Sequence, residues 1–386
     1  MWIHKDRAVD FGKEPMSKSQ IEWTDFTWNP VTGCDRTSPG CLNCYAKQLH
    51  DMRYKAHLAG KNVAPCYHEP FESVQCHPDR LDALPLNGAP RKVFVNSMSD
   101  LFHKDVPDEF IDEVFAAMAF RPHMTFQILT KRAQRLPQYF EGLNRRRQGF
   151  FHEHHGYFSE LLEERYGSDA AQAAWSRLKA FHHGPKPATS IGDATAWPWP
   201  LPNVWLGVSV ENQKYADERG YWLRKTPAAV RFFSCEPLLG ALDLSASLAC
   251  SNCGAVVAAR DEMGACGRCG SGLPGIHWVI VGGESGAGAR PMHPDWARSI
   301  RDQCTAAGVQ FFFKQWGEWR LRELGDSDDQ PRLRIGEHGK NTQDLANCGP
   351  DMGNEVWMQR VGTKRAGRLL DGREWNEFPA QERVSA

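Results

Sequence analysis

Apolar, β-branched and aromatic residues recur along the chain in short, nearly continuous runs: Val93 to Val95, Thr125 to Leu129, Val204 to Val210, Val230 to Phe233, His277 to Val281 and Val309 to Phe313. Runs of this length without polar alternation predict strands buried on both faces, as in a parallel sheet covered on either side. Between them, helices are expected over Asp108 to Ala119, Asn212 to Leu223 and Pro294 to Ala307. With an earlier extended segment at Phe26 to Val31, the chain carries about seven strands in βα alternation. The pattern predicts an α/β fold, either a full or partial (β/α) barrel or an open doubly wound sheet.

Breaks in this rhythm suggest the domain organisation. Residues 1–18 read as a flexible N-terminal extension, 19–325 as the barrel, and 326–386 as a polar, Gly-rich linker followed by a small β extension over Val356 to Phe378. Two insertions interrupt the barrel. Residues 139–200 contain Arg145 to Arg147, the cluster His152, His154 and His155, and a Trp/Pro-rich exit at Ala196 to Pro202, and read as largely helical. Residues 246–273 hold a cysteine cluster. The arginines and histidines of the first insertion read most simply as solvated surface, with a phosphate patch and a metal site as the functional alternatives.

Polar residues gather where the expected strands end: Asn96, Ser97 and Asp100; Thr130, Lys131 and Arg132; Ser209, Glu211 and Asn212; Ser234 and Glu236; Glu284; Lys314, Gln315 and Trp316. In parallel α/β folds the carboxyl ends of the strands are where ligands bind. Each such charge alone reads equally well as an ion pair. Their recurrence at successive strand ends is what points to a site.

Composition narrows the setting. Lys plus Arg number 46 against 47 Asp plus Glu, so no global field holds nucleic acid or an anionic membrane, and any nucleic-acid contact has to be local. No apolar run approaches the roughly 20 residues that span a bilayer, and the N-terminal residues lack the apolar stretch of a secretory signal. The expectation is a cytoplasmic protein with no membrane partner. Of 12 cysteines, seven fall into two clusters with metal-ligand spacing, which suits reduced thiolates better than disulfides. Cys66, Cys76, Cys235, Cys304 and Cys348 are scattered and read as small core residues.

The first cluster, Cys34, Cys41 and Cys44, lies directly after the first expected strand in a loop tightened by Pro39 and Gly40. Three thiolates suit three irons of a [4Fe–4S] cluster and leave the fourth iron open to a small chelating molecule such as S-adenosylmethionine. A zinc knot completed by a histidine such as His50, or a turn with buried thiols, fits the same spacing. Position at a strand's carboxyl end favours the iron–sulfur reading. The second cluster, Cys250, Cys253, Cys266 and Cys269, pairs two Cys-x2-Cys knuckles with neighbouring glycines and has the form of a zinc ribbon. A second iron–sulfur cluster is its alternative. A closed four-thiolate zinc site serves structure or recognition, not catalysis.

The run Ile21 to Cys34, the cysteines at 34, 41 and 44, Ser234-Cys235-Glu236-Pro237-Leu238-Leu239-Gly240, Val281-Gly282-Gly283-Glu284-Ser285-Gly286 and Phe313-Lys314-Gln315-Trp316-Gly317-Glu318-Trp319 resemble the three-cysteine-motif family of phages, prophages and bacteria. That family is radical-SAM-like and largely unassigned in function. The resemblance implies a radical-SAM-type barrel with a [4Fe–4S] cluster in the loop after the first strand and S-adenosylmethionine as cofactor. The first gap of the motif is six residues, where the usual radical-SAM spacing has three, and Asn43 stands where an aromatic is usual.

On this reading Gly282, Gly283, Glu284, Ser209 and Glu211 contact the cofactor, and Glu236, Lys131 and Asp100 are the candidate catalytic groups. Lys314 and Arg132 are candidates to meet a carboxylate or phosphate, and Trp316 and Trp319 to stack on a base. An electron donor such as a flavodoxin or ferredoxin is the implied partner, and nucleic acid or a nucleotide the favoured substrate class. The rival function on the same fold is a zinc-dependent nucleic-acid or protein binding module without redox chemistry. Hydrolase chemistry finds no nucleophile-elbow pattern to support it.

Overall fold

A computed structural model describes residues 16–82, 84–86, 88–149, 161, 163–165, 167–168, 200–248, 275–323, 325–326, 330–336 and 355–379, with side chains up to 143 in the third of these longer segments. The chain folds as a mixed α/β protein around an eight-stranded sheet. The strands in chain order are β1 (Met16–Lys18), β2 (Phe26–Trp28), the short pair β3 (Val31–Thr32) and β4 (Gln75–Cys76), β5 (Arg91–Val95), β6 (Met124–Thr130), β7 (Val204–Ser209), β8 (Val230–Cys235), β9 (Trp278–Gly282) and β10 (Gln310–Gln315). In the large sheet β2, β5, β6, β7, β8, β9 and β10 are successive parallel neighbours, and β1 pairs antiparallel with β2 at the outer edge.

Each expected run is thus a strand, displaced by a residue or two at its ends. Two details differ. Phe26 to Val31 is two strands with a break at Asn29 and Pro30, because proline has no N–H to donate and β3 leaves the large sheet to pair with β4. Met16–Lys18, expected within the flexible extension, form β1: Ser17 pairs with Thr27, and their hydroxyls hydrogen-bond at 2.8 Å.

Both faces of the sheet are buried, and alternate residues feed different cores. On one side Val93, Val95, Phe126, Ile128, Leu206, Val208, Phe233, Val279, Val281, Phe311 and Phe313 join the main core beneath the helices. These helices are α1 (Tyr45–Leu58), α2 (Asp108–Ala119), α3 (Arg135–Gly149), α4 (Gln213–Arg224), the single turn α5 (Ser245–Leu248) and α6 (Pro294–Ala307). On the other side Phe94, Trp205, Phe232, Trp278, Ile280 and Phe312 form a second, mostly aromatic cluster with Trp23. The period of two in a strand explains the split: Phe94 lies between Val93 and Val95 and points the opposite way.

A three-stranded antiparallel sheet of β11 (Trp319–Leu321), β12 (Arg332–Ile335) and β13 (Val356–Arg360), with β13 in the middle, follows β10. After the turn α7 (Thr363–Ala366) the chain returns along the outer edge of β10. Phe313 N–H donates to the Trp375 carbonyl at 2.9 Å, Phe312 bridges Asn376, and Phe311 N–H donates to the Glu377 carboxylate at 3.0 Å. Trp278 Nε1 donates to the Glu377 carbonyl at 2.9 Å, and the Phe378 ring closes on Trp278 and Phe312. The expected β extension is therefore part small sheet and part strap on the large one.

Of the two insertions, Arg165 anchors the described part of the first through Asp82 and Glu113. Arg145 to Arg147 as side chains, the histidines at 152, 154 and 155, and the four cysteines from Cys250 to Cys269 lie outside the described residues. No helix among the described residues is long and apolar enough to cross a membrane.

Candidate functional site

The loop of residues 33 to 44 leaves β3 and enters α1 over the carboxyl ends of the parallel strands. Cys34 N–H donates to the Phe71 carbonyl at 2.8 Å, a turn of Pro39–Cys41 follows, and Cys44 stands immediately before the first turn of α1. All three thiols are partly buried, and Cys34 and Cys44 both pack on the small cluster of Ala46, Phe71 and Met98.

Three strand ends hold this loop. At the end of β6, Arg132 Nη1 lies 3.5 Å from Cys34 Sγ and 3.0 Å from Asp100 Oδ2, while Nη2 bonds the carbonyl and the carboxylate of Asp35. At the end of β7, Ser38 Oγ donates to Glu211 Oε1 at 2.7 Å, and Glu211 is further paired with Lys131 at 3.4 Å and Arg219 at 2.9 Å. At the end of β9, Asn43 Nδ2 donates to Glu284 at 3.0 Å and to the Gly288 carbonyl at 2.8 Å, and Arg290 bridges Glu284 to the Pro39 carbonyl. The fit is close at Gly40, where a Cβ would stand 2.5 Å from Glu211.

The electrostatics follow from these neighbours. Burial, reinforced by the Asp100 carboxylate, pushes the Cys34 thiol up to about 12 despite the Arg132 guanidinium beside it. Cys41 moves the other way: burial opposes ionisation, but Lys131 and the hydrogen bonds from Thr37 and Ser38 outweigh it and hold the thiol below its ordinary value. Burial likewise works against the charged forms of Glu211 and Glu284. For Glu211 it is overcome by Lys131, Arg219 and Ser38, for Glu284 by Arg290 and Asn43, and both carboxyls are held below the usual range.

Of the residues expected to contact a cofactor or act in catalysis, most are brought to this rim, and most already have protein partners. Asp100 accepts from Thr130 Oγ1 at 2.7 Å and from the N–H groups of Phe102 and Lys131 at 3.0 Å, besides Arg132. Glu236 pairs with Lys314 at 2.6 Å. Ser209 is buried, and its carbonyl accepts from Arg219 at 2.7 Å. Gly282 leaves room for the Glu236 side chain, and Gly283 for the carbonyl of Trp316, so the backbone approach that Gly283 permits is one of the chain to itself. Trp319 is core, with Nε1 donating to the Ala289 carbonyl at 2.7 Å, and Trp316 Nε1 donates to the Leu369 carbonyl at 2.9 Å.

Sequence reading missed Arg290, Arg219, Asn43, Asp35 and Ser38 as parts of the site. The available signal was spacing: Arg290 follows Glu284 within the same loop, and Arg219 follows Glu211 on the first turns of the next helix. The loop carries three partly buried thiols beside cationic and hydroxyl donors; these surroundings favour the thiolate at Cys41, whereas burial disfavours it at Cys34. Among the described residues no three His, Cys, Asp or Glu side chains already converge around one point as a metal-ion site.

Fold and rim together define a mixed α/β protein with a large, mostly parallel sheet and a cysteine loop clamped across its strand ends. The chain belongs to the DUF5131 family of proteins of unknown function, which it matches over residues 18–379. No match was found among curated proteins or solved structures.

Proposed function

We propose that this protein is a radical-SAM-like enzyme, with a [4Fe–4S] cluster on Cys34, Cys41 and Cys44. The observation that carries the reading is the seat of those cysteines: one loop, at the carboxyl rim of successive parallel strands, with Arg132, Lys131 and Ser38 around the sulfurs. We read the sheet as a partial (β/α) barrel whose interior is the aromatic cluster around Trp278. Its seven parallel strands in chain order and its two buried faces support that reading.

When bound, a cluster there supplies single electrons, for which S-adenosylmethionine is the sulfonium acceptor and a flavodoxin or ferredoxin the class of donor. The chain's own residues have separable tasks. Asp100, Glu211 and Glu284 hold the loop through Arg132, Ser38 and the Arg290–Asn43 pair. Glu236 and Lys314 form a charged pair at the ends of β8 and β10, beside Gly282, where they face a substrate over the rim. The four cysteines from Cys250 to Cys269 bind zinc in this reading, and the substrate class is nucleic acid or a nucleotide.

The test is anaerobic purification. Brown protein with about four irons and four sulfides per chain, lost together when Cys34, Cys41 and Cys44 are changed to Ala, is the expected result. Incubation with dithionite and S-adenosylmethionine should release 5′-deoxyadenosine. Colourless protein with zinc alone would overturn the reading in favour of a binding module.

A further inference from the structure

Arg132 is held at the rim by several partners at once. Its side chain is 14% exposed, and each end of its guanidinium is committed: Nη1 to Asp100 Oδ2 at 3.0 Å and to Cys34 Sγ at 3.5 Å, Nη2 to the carbonyl and carboxylate of Asp35. Asp100 is in turn fixed by Thr130, Lys131 and Phe102, and Asp35 lies 3.2 Å from His103 Nε2. Such an arginine is poorly placed to bind a substrate carboxylate or phosphate. It is well placed to hold an N–H group against one sulfur.

We propose that Arg132, anchored by Asp100, is a positioning residue that hydrogen-bonds the Cys34 sulfur and raises the reduction potential of the centre built on it. The assignment rests on the iron–sulfur reading above and adds a regulator of its potential. Reduction places an extra negative charge on a cluster and its sulfur ligands. A hydrogen-bond donor at a ligand sulfur stabilises that added charge, and partners outside the ligand set tune the centre in this way. Removing the guanidinium also takes away the positive charge that faces Asp100 and Asp35 beside the sulfur. Both effects have the same sign and make reduction harder.

Arg132→Gln, which removes both the charge and the guanidinium, tests this directly, with Arg132→Lys keeping the charge but losing the planar fork. Arg91→Gln, at the opposite end of β5 where the arginine lies over the Phe26 ring, is the control. The full chain is purified anaerobically, its iron and sulfide counted, and the midpoint potential read by a redox titration followed by electron paramagnetic resonance.

Expected are wild-type iron content throughout and a midpoint in Arg132→Gln shifted negative, by enough to change the oxidised-to-reduced ratio about tenfold, which is ~59 mV for one electron. Arg132→Lys should fall between, and Arg91→Gln should match the wild type. An unshifted midpoint in Arg132→Gln overturns the assignment alone. So does equal loss of iron from both Arg132 variants, since it would reduce Arg132 to a support for the loop's shape. Wild-type protein without iron instead overturns the iron–sulfur reading, and this assignment with it.

Discussion

Arg290 grips both carboxylate oxygens of Glu284, Nε to Oε2 at 2.8 Å and Nη2 to Oε1 at 2.6 Å, and the same Nη2 reaches the Pro39 carbonyl at 3.0 Å. The end of β9 is thereby tied to the turn that carries Cys41. Glu284 also accepts from Asn43, next to Cys44. One carboxylate thus anchors both sides of the cysteine loop.

Breaking that bidentate pair should be costly. Arg290→Ala leaves Glu284 buried with only Asn43 and a backbone N–H, and is expected to lower the free energy of unfolding by about 2 kcal/mol, after discounting for the partly exposed arginine. Arg290→Lys should recover part of the loss, since lysine keeps the charge without the fork. Chemical denaturation of the three proteins decides it. An alanine variant as stable as the wild type would show that the latch contributes nothing.

Gly40 offers a steric test on the opposite side of the loop. An added methyl group meets Glu211, which is fully buried and pinned by Lys131, Arg219 and Ser38, so neither partner yields easily. Gly40→Ala is expected to destabilise by roughly 1–3 kcal/mol, as overpacking does. The loop should also become more susceptible to limited proteolysis. An unchanged melting temperature would mean that the loop can lift off Glu211 without penalty.

Acid should loosen the rim. The carboxyls of Glu211 and Glu284 sit below their ordinary value near 4.5 in the folded chain, because Lys131, Arg219 and Ser38, or Arg290 and Asn43, outweigh burial. A depressed folded value means that the stabilisation is complete above the unfolded value and disappears as pH falls through the folded one. Unfolding free energy should therefore hold steady from neutrality to about pH 5 and fall below it. Glu211→Gln should start less stable at pH 7 and show a shallower acid loss, measured by denaturant titration at each pH. Parallel curves for variant and wild type would contradict the assignment.

The strap along β10 should be needed for stability. Ending the chain after Arg373 removes the backbone bonds to Phe311 and Phe313, the bond from Trp278 Nε1, and the Phe378 ring. It leaves an unpaired strand edge, which favours association between chains. A lower melting temperature and aggregation on heating are expected. Phe378→Ala, which keeps the backbone, should show a smaller loss, on the order of 2 kcal/mol for a half-buried ring.

The sequence reveals the strands because each is buried on both faces: a run such as Val204 to Val210 needs no knowledge of its neighbours to be recognised. The helices Asp108–Ala119 and Pro294–Ala307 were equally plain, the second opening with proline and ending before Gly308 in the left-handed conformation. The rim was legible only as a list of polar residues. Which carboxylate meets which cation depends on how β6, β7 and β9 lie beside the loop, so the Ser38–Glu211 and Arg132–Cys34 contacts had no local signal. Glu284 shows this: its Gly-rich setting pointed to a polar contact at the rim, but gave no sign that Arg290 and Asn43 would be its protein partners. Met16–Lys18 shows the converse, since three residues without apolar periodicity became a strand by pairing with an existing edge.

The Phe378 ring lies against Trp278 and beneath the ammonium of Lys92, 4.7 Å from the ring centre, so the contacts that cover this side of the aromatic cluster join positions far apart in the chain. Contacts of such long sequence separation form slowly, because the intervening chain must be ordered before they are rewarded. Docking of the strap is therefore expected to be a late event, and the tryptophan fluorescence around Trp278 should reach its native value only when it is complete.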